Sequence, residues 1–212
     1  MIGALVRDVI QEPSFYHFAR MLTGAICYGP LRMTVHGREN VPLDGPLIVA
    51  CNHVSYMDPV ALGVALPRPL AYMAKIELFQ MPVLGPVIRA LTAYPVERGK
   101  GDIGAIRSSL RQLEEGKAIG IFPEGTRNLT GDARIQMGVA LLASLSRAPV
   151  LPAFVRGGNR ALRLGKLAVA FGEPFRLGAD QGGKASREDL AKWAETIMAR
   201  IRALGEGLAS GN

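Results

Sequence analysis

His53 and Asp58, separated by four residues in Asn52-His53-Val54-Ser55-Tyr56-Met57-Asp58, are the first groups in this chain that could move a proton. A neutral imidazole near its pKa suits a general base. A carboxylate on its second ring nitrogen would fix the tautomer and stabilise the imidazolium. Asp58 could instead cap a helix, since Pro59 follows it, and its two oxygens allow both tasks. About seventy residues on, Phe122-Pro123-Glu124-Gly125-Thr126-Arg127 reads as a turn ending in a guanidinium. Its backbone N–H groups, with Arg127 as a bidentate clamp, could hold a phosphate. An acid is out of place in an anion site, so Glu124 is expected to orient Arg127 or to bond a substrate hydroxyl. Together the two blocks describe a proton drawn from something anchored by an anion.

Both blocks need strands to carry them. Leu47-Ile48-Val49-Ala50-Cys51 follows the turn Asp44-Gly45-Pro46 and reads as a buried strand that delivers Asn52 and His53. Residues 118–122 read as a second, stopping at Pro123. The pattern predicts helices over 58–66, 102–115 and 138–147, with Ile103, Ile106, Leu110 and Leu113 on one face of the second. Residues 149–155 and 167–171 read as further strands. Ser186 and Asp189 form a capping box for a last helix that turns Leu190, Trp193, Ile197, Ile201 and Leu204 to the core. Such alternation implies a single α/β domain, its mostly parallel or mixed sheet flanked by helices, with sites beyond the carboxyl ends of strands. We place this domain at 31–205, a flexible tail at 206–212 and an amphipathic helical segment at 1–30. In that segment Ile2, Leu5, Val6 and Val9 share one face, and Phe15, Phe18, Leu22 and Ile26 continue the spacing. It could pack on the domain or lie in a membrane surface. The apolar run 78–91 could be core, line a groove or dip into lipid.

A chain of 212 residues with 49% hydrophobic content can bury a core, and its net charge of +7 favours an anionic partner. Arg156, Arg160, Arg163 and Lys166 form a stretch with no acid between its ends. Nucleic acid is not favoured: no Lys/Arg run or recognised module supports it, and aromatics are only 6% of the chain. Cys27 and Cys51 stand in apolar runs and read as buried free thiols. His17, His36 and His53 lack metal-ligand spacing, so no metal is expected. No run approaches the ~18–20 apolar residues that cross a bilayer, and no signal peptide is evident.

The chain resembles the glycerophospholipid acyltransferase family over roughly residues 31–176. Asn52-His53 with Asp58 matches the family's first motif, and Phe122 to Arg127 its third. Tyr94-Pro95-Val96-Glu97-Arg98 resembles the second, with Thr92 where glycine is common, and Val150-Leu151-Pro152 the fourth. The resemblance implies an α/β fold with helices flanking a mostly parallel sheet. It implies transfer of an acyl group from an acyl-CoA or acyl-carrier-protein thioester to 1-acyl-glycerol-3-phosphate, giving phosphatidic acid, with no resident cofactor. His53 would deprotonate the hydroxyl, which attacks the thioester without an acyl-enzyme, and Asp58 would orient it. Asn52, Lys75, Arg98, Glu124, Gly125, Thr126 and Arg127 would serve the acceptor, and Pro152 the donor side. The chain reads Ile135-Gln136-Met137-Gly138 where relatives often carry lysine before the glycine, which opens the choice of headgroup. The expected setting is peripheral, on the cytoplasmic side of the cell membrane. The alternatives are the same chemistry on another lysolipid, on glycerol-3-phosphate or on a glycolipid, and a non-enzymatic basic membrane-binding protein.

Overall fold

All five residues of Leu47–Cys51 are buried, and a strand with no polar side needs cover on both faces. The computed structural model supplies that cover, describing residues 13–82, 84–96, 103–125, 127–128, 135–178 and 185–210. In chain order the elements are α1 (Pro13–Tyr28), β1 (Thr34–His36), β2 (Leu47–Cys51), α2 (Met57–Ala65), β3 (Leu70–Lys75), α3 (Ile76–Phe79) and α4 (Leu84–Ala90). They continue as β4 (Tyr94–Val96), α5 (Ile103–Glu114), β5 (Ala118–Ile121), α6 (Gly138–Ser146), β6 (Val150–Arg156), β7 (Ala168–Phe171) and α7 (Arg187–Ser210). Short 3₁₀ turns occupy Arg38–Asn40 and Gly158–Arg163.

The strands form one seven-stranded sheet in the order β1-β7-β6-β2-β5-β3-β4. Every pairing is parallel except β6 with β7, whose connection is too short to cross over. Alternation along β2 sorts the core: Leu47, Val49 and Cys51 join α2 residues such as Leu62 on one face. Ile48 and Ala50 join Leu113, Leu142 and Ile197 from α5, α6 and α7 on the other. Strands β1, β3 and β4 escaped the sequence pattern because they are short or carry polar residues. Pro95 sits inside β4, which is tolerated because β4 is an edge strand.

Several expectations change. The second helix begins at Met57, so Asp58 lies inside its first turn and does not cap it; the Ser55 hydroxyl accepts the Met57 N–H instead. Ile103 is 72% exposed, whereas Leu113 is buried. In α1 Phe18, Leu22 and Ile26 of the apolar stripe are exposed, as is Met21, and Phe15 is half-buried, while Cys27 is buried and the helix packs on α2. In place of a loose tail after Gly205, α7 runs to Ser210. Arg156 ties it down, donating to the carbonyls of Gly205 at 2.6 Å and Leu208 at 2.7 Å. The capping box at the other end forms as the spacing requires, with the Ser186 N–H bonding Asp189 and the Asp189 N–H bonding Ser186 Oγ. Among the described residues no helix is long and apolar enough to cross a membrane. The proposed face in residues 1–12 lies outside the described residues.

Candidate active site

Strands β2 and β5 are parallel neighbours, so their carboxyl ends release Asn52-His53 and Phe122-Pro123-Glu124 side by side. The Asp58 carboxylate, fully buried, places Oδ2 3.2 Å from His53 Nδ1. The same oxygen accepts the N–H groups of Val54 and Ser55, each at 2.7 Å. Three donors therefore converge on one carboxylate oxygen, which gives the imidazole a fixed anionic partner. Nδ1 is thereby committed, which leaves Nε2 as the nitrogen open to a substrate. The His53 side chain is 16% exposed, enough to meet one.

The backbone of His53 is held from the neighbouring loop. Glu124 Oε2 accepts the His53 N–H at 2.6 Å, and the Asn128 N–H donates to the His53 carbonyl at 2.7 Å. The Asn128 side-chain amide donates in turn to Glu124 Oε1 at 3.1 Å. Glu124 is 7% exposed, and its carboxylate is engaged behind the imidazole. This corrects the expectation that it orients Arg127 or bonds a substrate hydroxyl: burial makes an unpaired carboxylate costly, and these donors satisfy it. The Phe122 ring stacks on His53 at 4.2 Å, and the Tyr72 ring lies parallel to Phe122 at 6.2 Å.

Asn52 is also occupied. Its amide donates to the Val155 carbonyl at 3.0 Å and accepts the Val155 N–H at 2.7 Å. It imitates one more rung of the β2–β6 ladder and carries the chain past the end of β2, a support for His53 rather than a substrate contact. Gly125 adopts φ 69° against the side chain of Gln136, which any Cβ there would overlap. The Arg127 guanidinium lies over the Tyr56 ring at 3.9 Å, a cation–π contact that links the two blocks. Lys75 ends β3, and Arg98 and Thr126 lie outside the described residues. Pro152 is buried in mid-strand beside Gly172 and is absent from the walls of the cavity at His53. Sequence reasoning missed Asn128 and Ser55, whose tasks depend on backbone partners that no motif displays.

A cavity of about 600 Å³ opens at His53 and continues between the sheet and helices α5 and α6. Met73, Val96, Ile106, Ile121, Val139 and Leu142 give it apolar walls, and Gln136 and Gly125 stand at its polar part. The Tyr72 ring packs directly against Gly120, where any Cβ would overlap it. The nearest thiol is inert: burial first, then the Asp58 and Glu124 carboxylates, push Cys51 well above the usual thiol range. A buried neutral thiol is a poor nucleophile. Chemically, the arrangement can take a proton at Nε2 and shelter an apolar chain beside it.

Comparison with known proteins agrees with this geometry. The acyltransferase family model matches residues 32–156. The 1-acyl-sn-glycerol-3-phosphate acyltransferase of Bacillus subtilis is 36% identical over 174 residues, 80% of this chain and 86% of that protein. The lyso-ornithine lipid O-acyltransferase of Pseudomonas aeruginosa is 32% identical over 118 residues, covering 53% of this chain and 45% of that one. The crystal structure of the 1-acyl-sn-glycerophosphate (LPA) acyltransferase PlsC from Thermotoga maritima superposes with a TM-score of 0.69 at 26% identity, over 92% of this chain and 82% of that one. With the His53–Asp58 pair at the carboxyl edge of a matching sheet, this chain belongs to the acyltransferase family.

Proposed function

We propose that the protein transfers a fatty acyl group from an acyl-CoA or acyl-carrier-protein thioester to the free hydroxyl of 1-acyl-glycerol-3-phosphate, giving phosphatidic acid. One observation carries the reading: a buried carboxylate holds Nδ1 of an imidazole whose other nitrogen is left to a cavity with apolar walls. In the reaction His53 Nε2 takes the hydroxyl proton as the oxygen attacks the thioester carbonyl. The tetrahedral intermediate collapses, the carbon–sulfur bond breaks, and the leaving thiolate recovers the proton from the imidazolium. Asp58 stabilises that imidazolium while it exists. The substrate hydroxyl is the nucleophile, consistent with a neutral Cys51 and with a Ser55 hydroxyl already bonded to the Gly158 carbonyl at 2.9 Å.

The Arg127 side of the site, with Gly125 and the Thr126, Lys75 and Arg98 positions, is assigned to the phosphate of the acceptor. The apolar cavity is assigned to an acyl chain, each methylene contributing ~0.8 kcal/mol of gross burial. Such burial is felt equally before and during reaction, so it sets affinity and chain preference while His53 and Asp58 set rate. No resident cofactor is needed. The outward row Phe18, Met21, Leu22 and Ile26 on α1 supports a peripheral seat on a membrane surface, proposed as its cytoplasmic side. A different lysolipid as acceptor is favoured by one residue: Gln136 presents a neutral amide at Gly125, where a cation would bias the site to phosphate.

The test incubates wild type and His53→Ala with lysophosphatidate in vesicles, supplying the acyl group as CoA and as carrier-protein thioester and reading product by mass spectrometry. Phosphatidic acid from wild type, reduced ~10²–10⁴-fold in the variant, is expected. Equal product from both proteins would overturn the mechanism, and product only from other lysolipids would move the acceptor.

A further inference from the structure

We infer that Gly158 is a positioning residue for the reaction, setting the rotation of the Asp58 carboxylate that faces His53; this rests on the His53–Asp58 reading proposed above. A carboxylate turns easily about its last torsion, where the staggered preferences of other side-chain bonds are absent. Asp58 Oδ2 receives three donors, whereas Oδ1 is buried and accepts no hydrogen bond among the described residues. Oδ1 lies instead against the backbone of Gly158, where any Cβ would overlap it and would stand 3.1 Å from Ser55 Cβ. The carboxylate thus has hydrogen bonds on one side and a wall on the other.

The wall is itself anchored. Ser55 Oγ donates to the Gly158 carbonyl at 2.9 Å, so the loop after His53 and the turn after β6 are tied at this point. The adjacent glycines have different reasons to be glycine. Gly157 adopts φ 84°, where L side chains are strained. Gly158 is not among the residues with positive φ, so an alanine suits its backbone, and its contacts forbid one, Asp58 foremost and Ser55 next.

The ionisable groups facing His53 are Asp58 from α2 and Glu124 from the β5 loop. Cys51 of β2 is buried and Tyr72 of β3 half-buried, and both are held well above their usual ranges, so they stay neutral. Arg127, from the same loop as Glu124, lies over Tyr56. Turning Asp58 away withdraws the anionic partner of the imidazolium that forms during the reaction. The pH profile of kcat/KM therefore registers the loss, with Asp58→Asn as the reference.

The experiment compares wild type, Gly158→Ala, Asp58→Asn and Ser55→Ala by thermal melting and by pH–rate profiles with the thioester and lysophosphatidate. Gly207→Ala, a glycine with open space around it, is the control. For Gly158→Ala we expect kcat to fall on the order of 10²-fold. We expect the acid limb to move in the direction that Asp58→Asn moves it, with acceptor KM near wild type. If Gly158→Ala does not fold, Ser55→Ala carries the test, since it unties the wall while leaving Gly158 in place; a smaller shift in the same direction is expected. An acid limb that stays put in these variants while Asp58→Asn moves it would overturn the inference alone. An Asp58→Asn enzyme with wild-type rate and limb would overturn the His53–Asp58 reading and this inference with it.

Discussion

Glu124 and Asn52 stand at this site with their polar atoms already engaged. Asn52 bonds the Val155 backbone, and Glu124 bonds the His53 N–H and the Asn128 side-chain amide. Their effect on the reaction passes through the placement of the imidazole. Glu124→Ala removes the acceptor of a buried N–H, a loss of about 1–3 kcal/mol in local stability. It also frees His53 to shift, which for a displacement near 1 Å lowers rate on the order of 10²-fold. Glu124→Gln keeps one oxygen for the His53 N–H and should retain more activity. The expected signature in steady-state kinetics is a lower kcat with little change in acceptor KM. A raised KM with kcat preserved would return Glu124 to the acceptor.

At the scale of elements, the end of β6 serves both the site and the packing of the last helix. Arg156 closes β6 and donates two hydrogen bonds to carbonyls in the last turns of α7, where a cation also meets the negative end of the helix dipole. Gly205 lets the helix lie close to the Phe154 ring, and a Cβ there would stand 2.7 Å from it. The helix therefore continues where its sequence is polar and glycine-rich. Arg156→Ala should cost about 1–2 kcal/mol, since these are partly buried bonds to a charged group. Thermal melting would register this as a Tm lower by roughly 2–8 °C. Hydrogen exchange should locate the loss, with amides of 205–210 less protected and those of β2 and β5 unchanged. Uniform loss of protection would mean that Arg156 supports the whole sheet.

For the molecule as a whole, burial leaves a signature in the response to alkali. Tyr94 is pushed up to about 12 by burial, partly offset by its bond to Ser109, and burial also holds Cys51 and Tyr72 well above their usual values. The unfolded chain gives up these protons near 9.0 for cysteine and 10.0 for tyrosine, before the folded protein does. Their contribution to stability is therefore complete below pH 9 and is lost as pH rises towards the folded-state values. Melting curves between pH 8 and 11 should show Tm falling above about pH 9. A Tyr94→Phe variant should fall less steeply above pH 10. A flat Tm over that range would show that these groups ionise as easily inside the protein as outside it.

By itself the sequence determined the parts whose causes are local. The apolar runs of β2 and β5, the stops at Asn52 and Pro123, the reciprocal bonds of Ser186 and Asp189, and the two motif blocks were all legible, because periodicity and short spacing act over a few residues. The outward face of α1 was not legible, since the same apolar stripe suits a core or a membrane surface. The tasks of Glu124, Asn52 and Gly158 were decided only by tertiary structure. Their partners lie 71 residues away for Glu124 and 103 for both Asn52 and Gly158. Strand order brings those partners within reach, and a buried polar atom then bonds whatever backbone the neighbouring strand presents.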